Sequence, residues 1–221
     1  MTEVSTLAAE EKYSFSPISR VLAHFISVVF HPLFVNIYMA AFLIYWDPEW
    51  FISFNEKGKF LKLLTVINNN FVFPVLVVLL MRGLGFSKSF LLRTQRDRIV
   101  PYIACTTFFF WTWFVFRKLP GVSEDMVNMC FAVFLSTCVA LFVNTYFKIS
   151  MHAIGVGGLV GLMIILVLNG KVFSGLPLAV SVLIAGLVFS SRKIVSDHRW
   201  FDLAAGFVVG LVCQLLAFWI F

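Results

Sequence analysis

Charged side chains are scarce in this sequence. They account for 13% of its 221 residues, whereas 61% of the residues are hydrophobic and 27 are phenylalanine. A soluble domain of this size does not need so much apolar surface, so the composition predicts an integral membrane protein. The meaning of the net charge of +6 depends on where the charged residues lie along the chain. Nucleic acid is not an expected partner.

Cysteine is also rare. The four cysteines lie inside apolar runs without a C-x-x-C spacing, and they are Cys105, Cys130, Cys138 and Cys213. Neither a disulfide framework nor a metal site is predicted from this pattern. We expect small packed or lipid-facing thiols instead.

The beginning of the sequence lacks the basic residues that open a signal peptide. Residues 1–20 are mostly polar, and the apolar run that follows is too long for a signal-peptide core. We therefore expect a polar N-terminal segment, 1–20, followed by a single transmembrane domain, 21–221.

Seven apolar runs make up that domain. We predict an all-α, polytopic transmembrane helical bundle of seven spans, or of six if one pair is re-entrant. The spans are 21–46, 61–80, 99–116, 126–146, 153–168, 176–189 and 203–221. In the first span, His24 and His31 are seven residues apart and would share a helix face. Polar packing beside Pro32 is favoured there over a metal or proton site.

Three consecutive amides, Asn68, Asn69 and Asn70, lie in the second span. Amides are costly in hydrocarbon unless they face protein or water, so this part of the helix is predicted to face the inside of the bundle. Hydrogen bonding between helices is the favoured role, and the lining of a substrate path is the alternative.

Residues 191–202, which read SRKIVSDHRWFD, combine several chemically active side chains. If the chain is helical from His198 onward, Asp202 lies one turn away on the same face and its carboxylate can reach the imidazole. Such a carboxylate fixes the ring tautomer and leaves the other nitrogen free to attack an electrophile or to move a proton. Arg192 would grip an anion through its planar guanidinium.

Two other polar segments are predicted to lie on the same side of the membrane. Two spans separate the arginine-rich segment that ends near Arg98 from His152, and two more separate His152 from His198. Because an even number of spans returns the chain to the same face, the three segments can meet there. A hydrophobic bundle with such a site suits an anionic lipid head group.

Close helix packing is predicted beside both histidines. One Gly-x-x-x-Gly pattern, 157–161, follows His152 in the fifth span, and another, 206–210, follows His198 in the seventh. Small residues at this spacing let helix backbones approach closely, so we predict that the fifth and seventh spans touch.

The polar segments resemble the three motifs of the type 2 phosphatidic acid phosphatase superfamily, a group that includes membrane lipid phosphatases. Ser191-Arg192, five residues, His198, three residues and Asp202 match the third motif. The resemblance covers the second half of the chain well and the first two spans hardly at all.

The other two motifs are less regular. Residues 149–152, Ile-Ser-Met-His, resemble the second motif, Pro-Ser-Gly-His. Arg98 followed by Pro101 resembles a degenerate first motif, in which a lysine usually stands seven residues before an Arg-Pro pair. Leu91 occupies the position of that lysine, and Lys148 is the candidate replacement.

Three arginines are candidates for the role of the first motif. Arg93, Arg96 and Arg98 all lie near the start of the third span. Arg98 is favoured, and interfacial anchoring is the alternative role for each of them.

The resemblance implies an active-site core like that of these phosphatases and a metal-independent hydrolysis of a lipid phosphate or diphosphate. His198 would attack phosphorus and form a phosphohistidine, Asp202 would stabilise its charge, and His152 would serve as general acid and then as base. The implied phosphate-binding residues are Arg98, Lys148, Ser150 and Arg192. Phosphatidate, phosphatidylglycerophosphate and isoprenyl diphosphates are all possible substrates, and no metal or other cofactor is expected.

Other functions remain as alternatives. A non-enzymatic lipid-binding or transport protein would be expected to carry ionisable groups at mid-span or an inverted repeat. A phosphotransferase or an inactive member could use the same fold. The expected partners are the lipid phosphate substrate and the bilayer, and the expected location is a bacterial inner (plasma) membrane. Both orientations of the site and any oligomeric state are left open.

Overall fold

The computed structural model describes residues 15–46, 55–85, 94–196 and 198–220. Within these ranges the chain is helical and contains no strand. The helices are α1 (Pro17–Val29), α2 (Pro32–Tyr45), α3 (Glu56–Gly83), α4 (Gln95–Lys118), α5 (Glu124–Val143), α6 (Met151–Leu168), α7 (Leu176–Val195) and α8 (Trp200–Ile220).

Six of these helices, α3 to α8, are long and apolar enough to cross a membrane. α1 and α2 together pass the same test, but they are bent by 53° at the break between them. The prediction of an all-α bundle with six or seven spans is therefore confirmed, and the chain is an integral membrane protein.

The first predicted span is wrong as a single helix. Pro32 has no amide hydrogen, and a residue that precedes proline is disfavoured in the α region. His31 accordingly has extended backbone angles (φ −62°, ψ 139°) and caps α2, with Pro32 at the first helical position. His24 is exposed on α1, so it does not share a continuous helix face with His31.

The asparagine run produces a local change inside α3. Asn68–Val72 adopt π-helical hydrogen bonding before the α-helix resumes. Asn70 is buried, and Thr112 of α4 donates a hydrogen bond of 3.0 Å to its Oδ1. Hydrogen bonding between helices, the favoured prediction for these amides, is confirmed for Asn70.

α6 and α8 pack backbone against backbone, as the glycine patterns predict. A Cβ atom built on Gly157 would collide with the carbonyl oxygen of Phe207, and one built on Gly210 would collide with that of Ile154. The predicted contact between these two spans is confirmed.

The hydrophobic core lies mainly between α2, α5 and α6. Its fully buried members include Met39, Leu43, Met129 and Leu162. All four cysteines are free; two are buried and two are half-buried.

Candidate active site

Arg98 lies in the first turn of α4. A capping box formed by Thr94 and Asp97 starts the helix, with both reciprocal hydrogen bonds at 3.2 Å. Arg98 follows directly, is only 4% exposed, and donates a hydrogen bond of 2.9 Å to the carbonyl oxygen of Ile149. The start of α4 is thus held against the connection between α5 and α6.

The three candidate arginines have different surroundings. Arg98 is buried against the α5–α6 connection, whereas Arg96 is exposed. Arg93 lies outside the described residues. Of the two arginines that the structure describes, only Arg98 lies inside the protein.

The α5–α6 connection brings Lys148, Ser150 and His152 to the same end of the bundle. Ser150 is fully buried and caps α6, since its hydroxyl accepts a hydrogen bond from the amide of Ala153 (3.4 Å). Its own amide donates to the carbonyl oxygen of Asp202 (3.2 Å). The starts of α6 and α8 are therefore joined, and His152 lies in the first turn of α6.

Arg192 lies in the last turn of α7, which continues to Val195. The helix extends beyond the predicted apolar span, which ends near residue 189, and cationic side chains are favourable in its last turn. Nη1 of Arg192 donates a hydrogen bond of 2.8 Å to the hydroxyl of Ser27, and its Nε is buried without a partner among the described residues. Among the described residues, the hydroxyl of Ser191 donates to the carbonyl oxygen of Val188 in its own helix.

His198 precedes α8 instead of lying in it, because the helix begins at Trp200. Its Nδ1 is 3.8 Å from Oδ2 of Asp202, which is within reach of an ion pair but too long for a hydrogen bond. The Asp202 carboxylate instead accepts hydrogen bonds from the amide of Arg199 (2.9 Å) and from its guanidinium (3.2 Å). The predicted carboxylate–imidazole hydrogen bond is therefore not formed in this structure.

Positive charges surround the His198 ring. Burial and the charges of Arg98, Arg192 and Lys148 lower its pKa from 6.5 to about 4, against the opposing effect of Asp202. The imidazole is therefore neutral at pH 7, the form in which a ring nitrogen has a free lone pair. His152 lies within electrostatic range of both Arg192 and His198. The structure thus brings the three predicted polar segments together.

Two further residues lie in this cluster, and the sequence motifs do not include them. Nε2 of His152 is 3.0 Å from the carbonyl oxygen of Ser27, at the end of α1. The ring of His31 lies edge-on to that of His152, with centroids 5.2 Å apart. The one sequence signal for these contacts was the helix break that Pro32 imposes, since it turns the end of α1 and the start of α2 toward His152.

A cavity adjoins the cluster on the side of the bundle interior. It is open to the outside and is bounded by α2, α4, α5, α6 and α8. Pro32 and Met151, the sequence neighbours of His31 and His152, line it. Its lining is mainly apolar and includes Met39, Phe109, Ala132 and Val133. The polar cluster and the apolar lining of the cavity therefore lie next to each other at this end of the bundle.

Among the described residues, no group of three or more His, Cys, Asp or Glu side chains is placed to hold a metal ion. The fold and the cluster define an all-helical integral membrane protein with a buried, positively charged site near the ends of its spans. Comparison with models of known protein families, with curated proteins and with solved structures finds no match to this chain.

Proposed function

We propose that the protein is a metal-independent phosphatase of lipid phosphates, located in a bacterial inner membrane. The observation that carries this proposal is that the three polar segments meet at one end of the bundle. Arg98 donates to the carbonyl oxygen of Ile149, and the amide of Ser150 donates to that of Asp202. Ser27 contacts both Arg192 and His152. Cationic side chains so placed suit the equatorial oxygens of a phosphoryl group, where charge spreads in the transition state. The resemblance of the three segments to the phosphatidic acid phosphatase motifs supports the same assignment.

His198 is the nucleophile in this proposal. Its Nδ1 faces Asp202, so Nε2 attacks phosphorus, and the developing positive charge is stabilised by the carboxylate. A neutral nucleophile suits the reaction because a phosphate monoester repels an anionic one. The N–P bond forms while the ester P–O bond breaks, and the electron pair of that bond stays on the leaving oxygen.

His152 moves the protons. In its protonated form it donates a proton to the leaving oxygen, since an alkoxide is otherwise a poor leaving group. The neutral ring then accepts a proton from water, whose oxygen attacks phosphorus as the N–P bond breaks. The products are the lipid alcohol and inorganic phosphate, and His198 is regenerated.

The apolar cavity beside the polar cluster supports a lipid as the substrate. A head group held by Arg98 and Arg192 would leave its apolar chain next to the wall formed by residues such as Met39 and Phe109. A water-soluble phosphate ester would gain nothing from that wall.

The test is the release of inorganic phosphate from a panel of lipid phosphates by the detergent-purified protein, with a chelator present. We expect His198→Ala to lower the rate by about 10³-fold or more, because the nucleophile is lost. His24→Ala is the matched control, since His24 is an exposed histidine on α1, and it should keep the wild-type rate. Activity that survives His198→Ala, or that disappears with the chelator, would contradict the proposed mechanism.

A further inference from the structure

Ser27 contacts two residues of the candidate site at once. Its hydroxyl accepts a hydrogen bond of 2.8 Å from Nη1 of Arg192, and its carbonyl oxygen is 3.0 Å from Nε2 of His152. Ser27 is only 6% exposed, although it lies near the end of the amphipathic helix α1. Ser27 therefore connects the end of α1 to α6 through His152 and to α7 through Arg192.

The end of α1 explains why this carbonyl group is available. The last four carbonyl groups of an α-helix lack a partner within the helix. The amide of His31, which would reach Ser27 in a continuous helix, donates instead to the carbonyl oxygen of Val28 (3.2 Å). Pro32 has no amide hydrogen to offer. The break in the first span thus frees the acceptor that His152 contacts.

This contact determines which nitrogen of His152 carries the hydrogen. Nε2 lies 3.0 Å from the carbonyl oxygen of Ser27 and 3.4 Å from its hydroxyl oxygen. The carbonyl oxygen can only accept, so the shorter of the two contacts is a hydrogen bond when the proton is on Nε2 of the neutral ring. Nδ1 is then the nitrogen with a free lone pair. The ring of His31 packs edge-on against the imidazole in this orientation.

We propose that Ser27 is a positioning residue of the active site, which fixes the Nε2–H tautomer of His152 through its carbonyl group and orients Arg192 through its hydroxyl. The catalytic part of this inference rests on the proposed function. In the reaction, Nδ1 of His152 exchanges the proton with the leaving oxygen and then with water, while Nε2–H stays on Ser27. The carbonyl group of Ser27 supports a charged His152 as the Asp202 carboxylate supports a charged His198.

The tautomer is measured directly by nitrogen NMR on protein labelled with ¹⁵N-histidine, at a mildly alkaline pH. The chain has only four histidines, and the His152 signals are assigned by their loss in His152→Gln. We expect the Nε2–H form for the wild type. An Nδ1–H form, or an even mixture of both, would overturn the proposal. This measurement does not depend on catalysis.

Kinetics test the role of the hydroxyl. In Ser27→Ala the backbone carbonyl remains and the partner of Arg192 is lost, so we expect the KM for a lipid phosphate and the inhibition constant of inorganic phosphate to rise about three- to tenfold. The kcat value should stay within about twofold of wild type, because the shorter His152 contact, to the backbone carbonyl oxygen, is kept although the 3.4 Å contact to the hydroxyl is lost. Ser27→Thr, which retains a hydroxyl, should restore both constants.

Ser181→Ala is the matched control for the loss of a buried hydroxyl. Ser181 is 2% exposed, and within the part of the chain that the structure describes its hydroxyl donates to the carbonyl oxygen of Leu178 in its own helix. Its removal should therefore leave the inhibition constant unchanged. An unchanged constant in Ser27→Ala, or an equal change in Ser181→Ala, would reject the positioning role. If the wild type releases phosphate from no lipid, the proposed function fails, and the tautomer measurement still decides the contact between Ser27 and His152.

Discussion

The titration of His198 can be tested through protein stability, independently of any activity. The imidazole is 4% exposed, and burial and the nearby cations lower its pKa from 6.5 to about 4 in the folded protein. The ordinary value applies to the unfolded chain. Between these two pH values the unfolded state therefore binds a proton that the folded state does not bind, and the folded protein loses stability as the pH falls.

The size of this loss follows from the two pKa values. One unit of difference corresponds to about 1.4 kcal/mol, so a fall from 6.5 to about 4 gives about 3 kcal/mol. The stability that the neutral His198 ring contributes is fully present above pH 6.5 and decreases as the pH falls from 6.5 to about 4. Below about pH 4 this ring causes no further change in stability. For a chain of this length the loss corresponds to roughly 6–12 °C in Tm.

The assay compares the apparent Tm of the detergent-purified wild type and of His198→Gln from neutral pH down to about pH 4. Glutamine keeps a polar side chain but cannot be protonated, so the difference between the two curves removes the contribution of all other titrating groups. We expect the wild type to fall relative to the variant by the amount given above. Added inorganic phosphate should reduce this fall, because an anion beside Arg98 and Arg192 favours the charged imidazole. Parallel curves for the two proteins would refute the assignment of a lowered pKa to His198.

Two further predictions concern the packing of the bundle. Gly157→Leu should prevent the close approach of α6 and α8 at Phe207 and lower the free energy of unfolding by at least about 1–3 kcal/mol. A Cβ atom at Gly186 would meet open space, so Gly186→Leu, the control, should have little effect on the yield of folded protein. Lys171→Met should cost about 1–3 kcal/mol, because it leaves the buried Asp125 carboxylate without its 2.6 Å partner; adding Asp125→Asn should recover most of the loss in thermal unfolding.

The bundle itself could be predicted because its determinants are local in sequence. The lengths of the apolar runs indicate the six clear spans, and small residues four apart indicate the contact between α6 and α8. Parity of the spans brings Arg98, His152 and His198 to one face without any knowledge of helix packing. These predictions need only a hydropathy pattern and the fact that a membrane has two sides.

The detailed contacts of the site could not be predicted in the same way. Whether Asp202 hydrogen-bonds His198 depends on where α8 begins, and it begins two residues later than expected. The Asp202 carboxylate then accepts a hydrogen bond from the amide of Arg199 instead of from His198. Ser27 and His31 approach His152 only because α1 and α2 are bent by 53°. A sequence can indicate that Pro32 breaks a helix, but the direction of the bend depends on packing against other helices.

The charges of the site are the basis of the proposed phosphate binding. Among the described residues, Arg98, Arg192 and Lys148 bring three positive charges to neutral His198, and Asp202 brings one negative charge. Lys193 adds a further cation, since its Nζ lies 3.4 Å from the carbonyl oxygen of His198. Arg199 also binds Asp202, but its side chain is 66% exposed and water screens its charge. An excess of positive charge in a buried site is costly unless an anion balances it. This charge distribution therefore supports the proposed binding of a phosphate group.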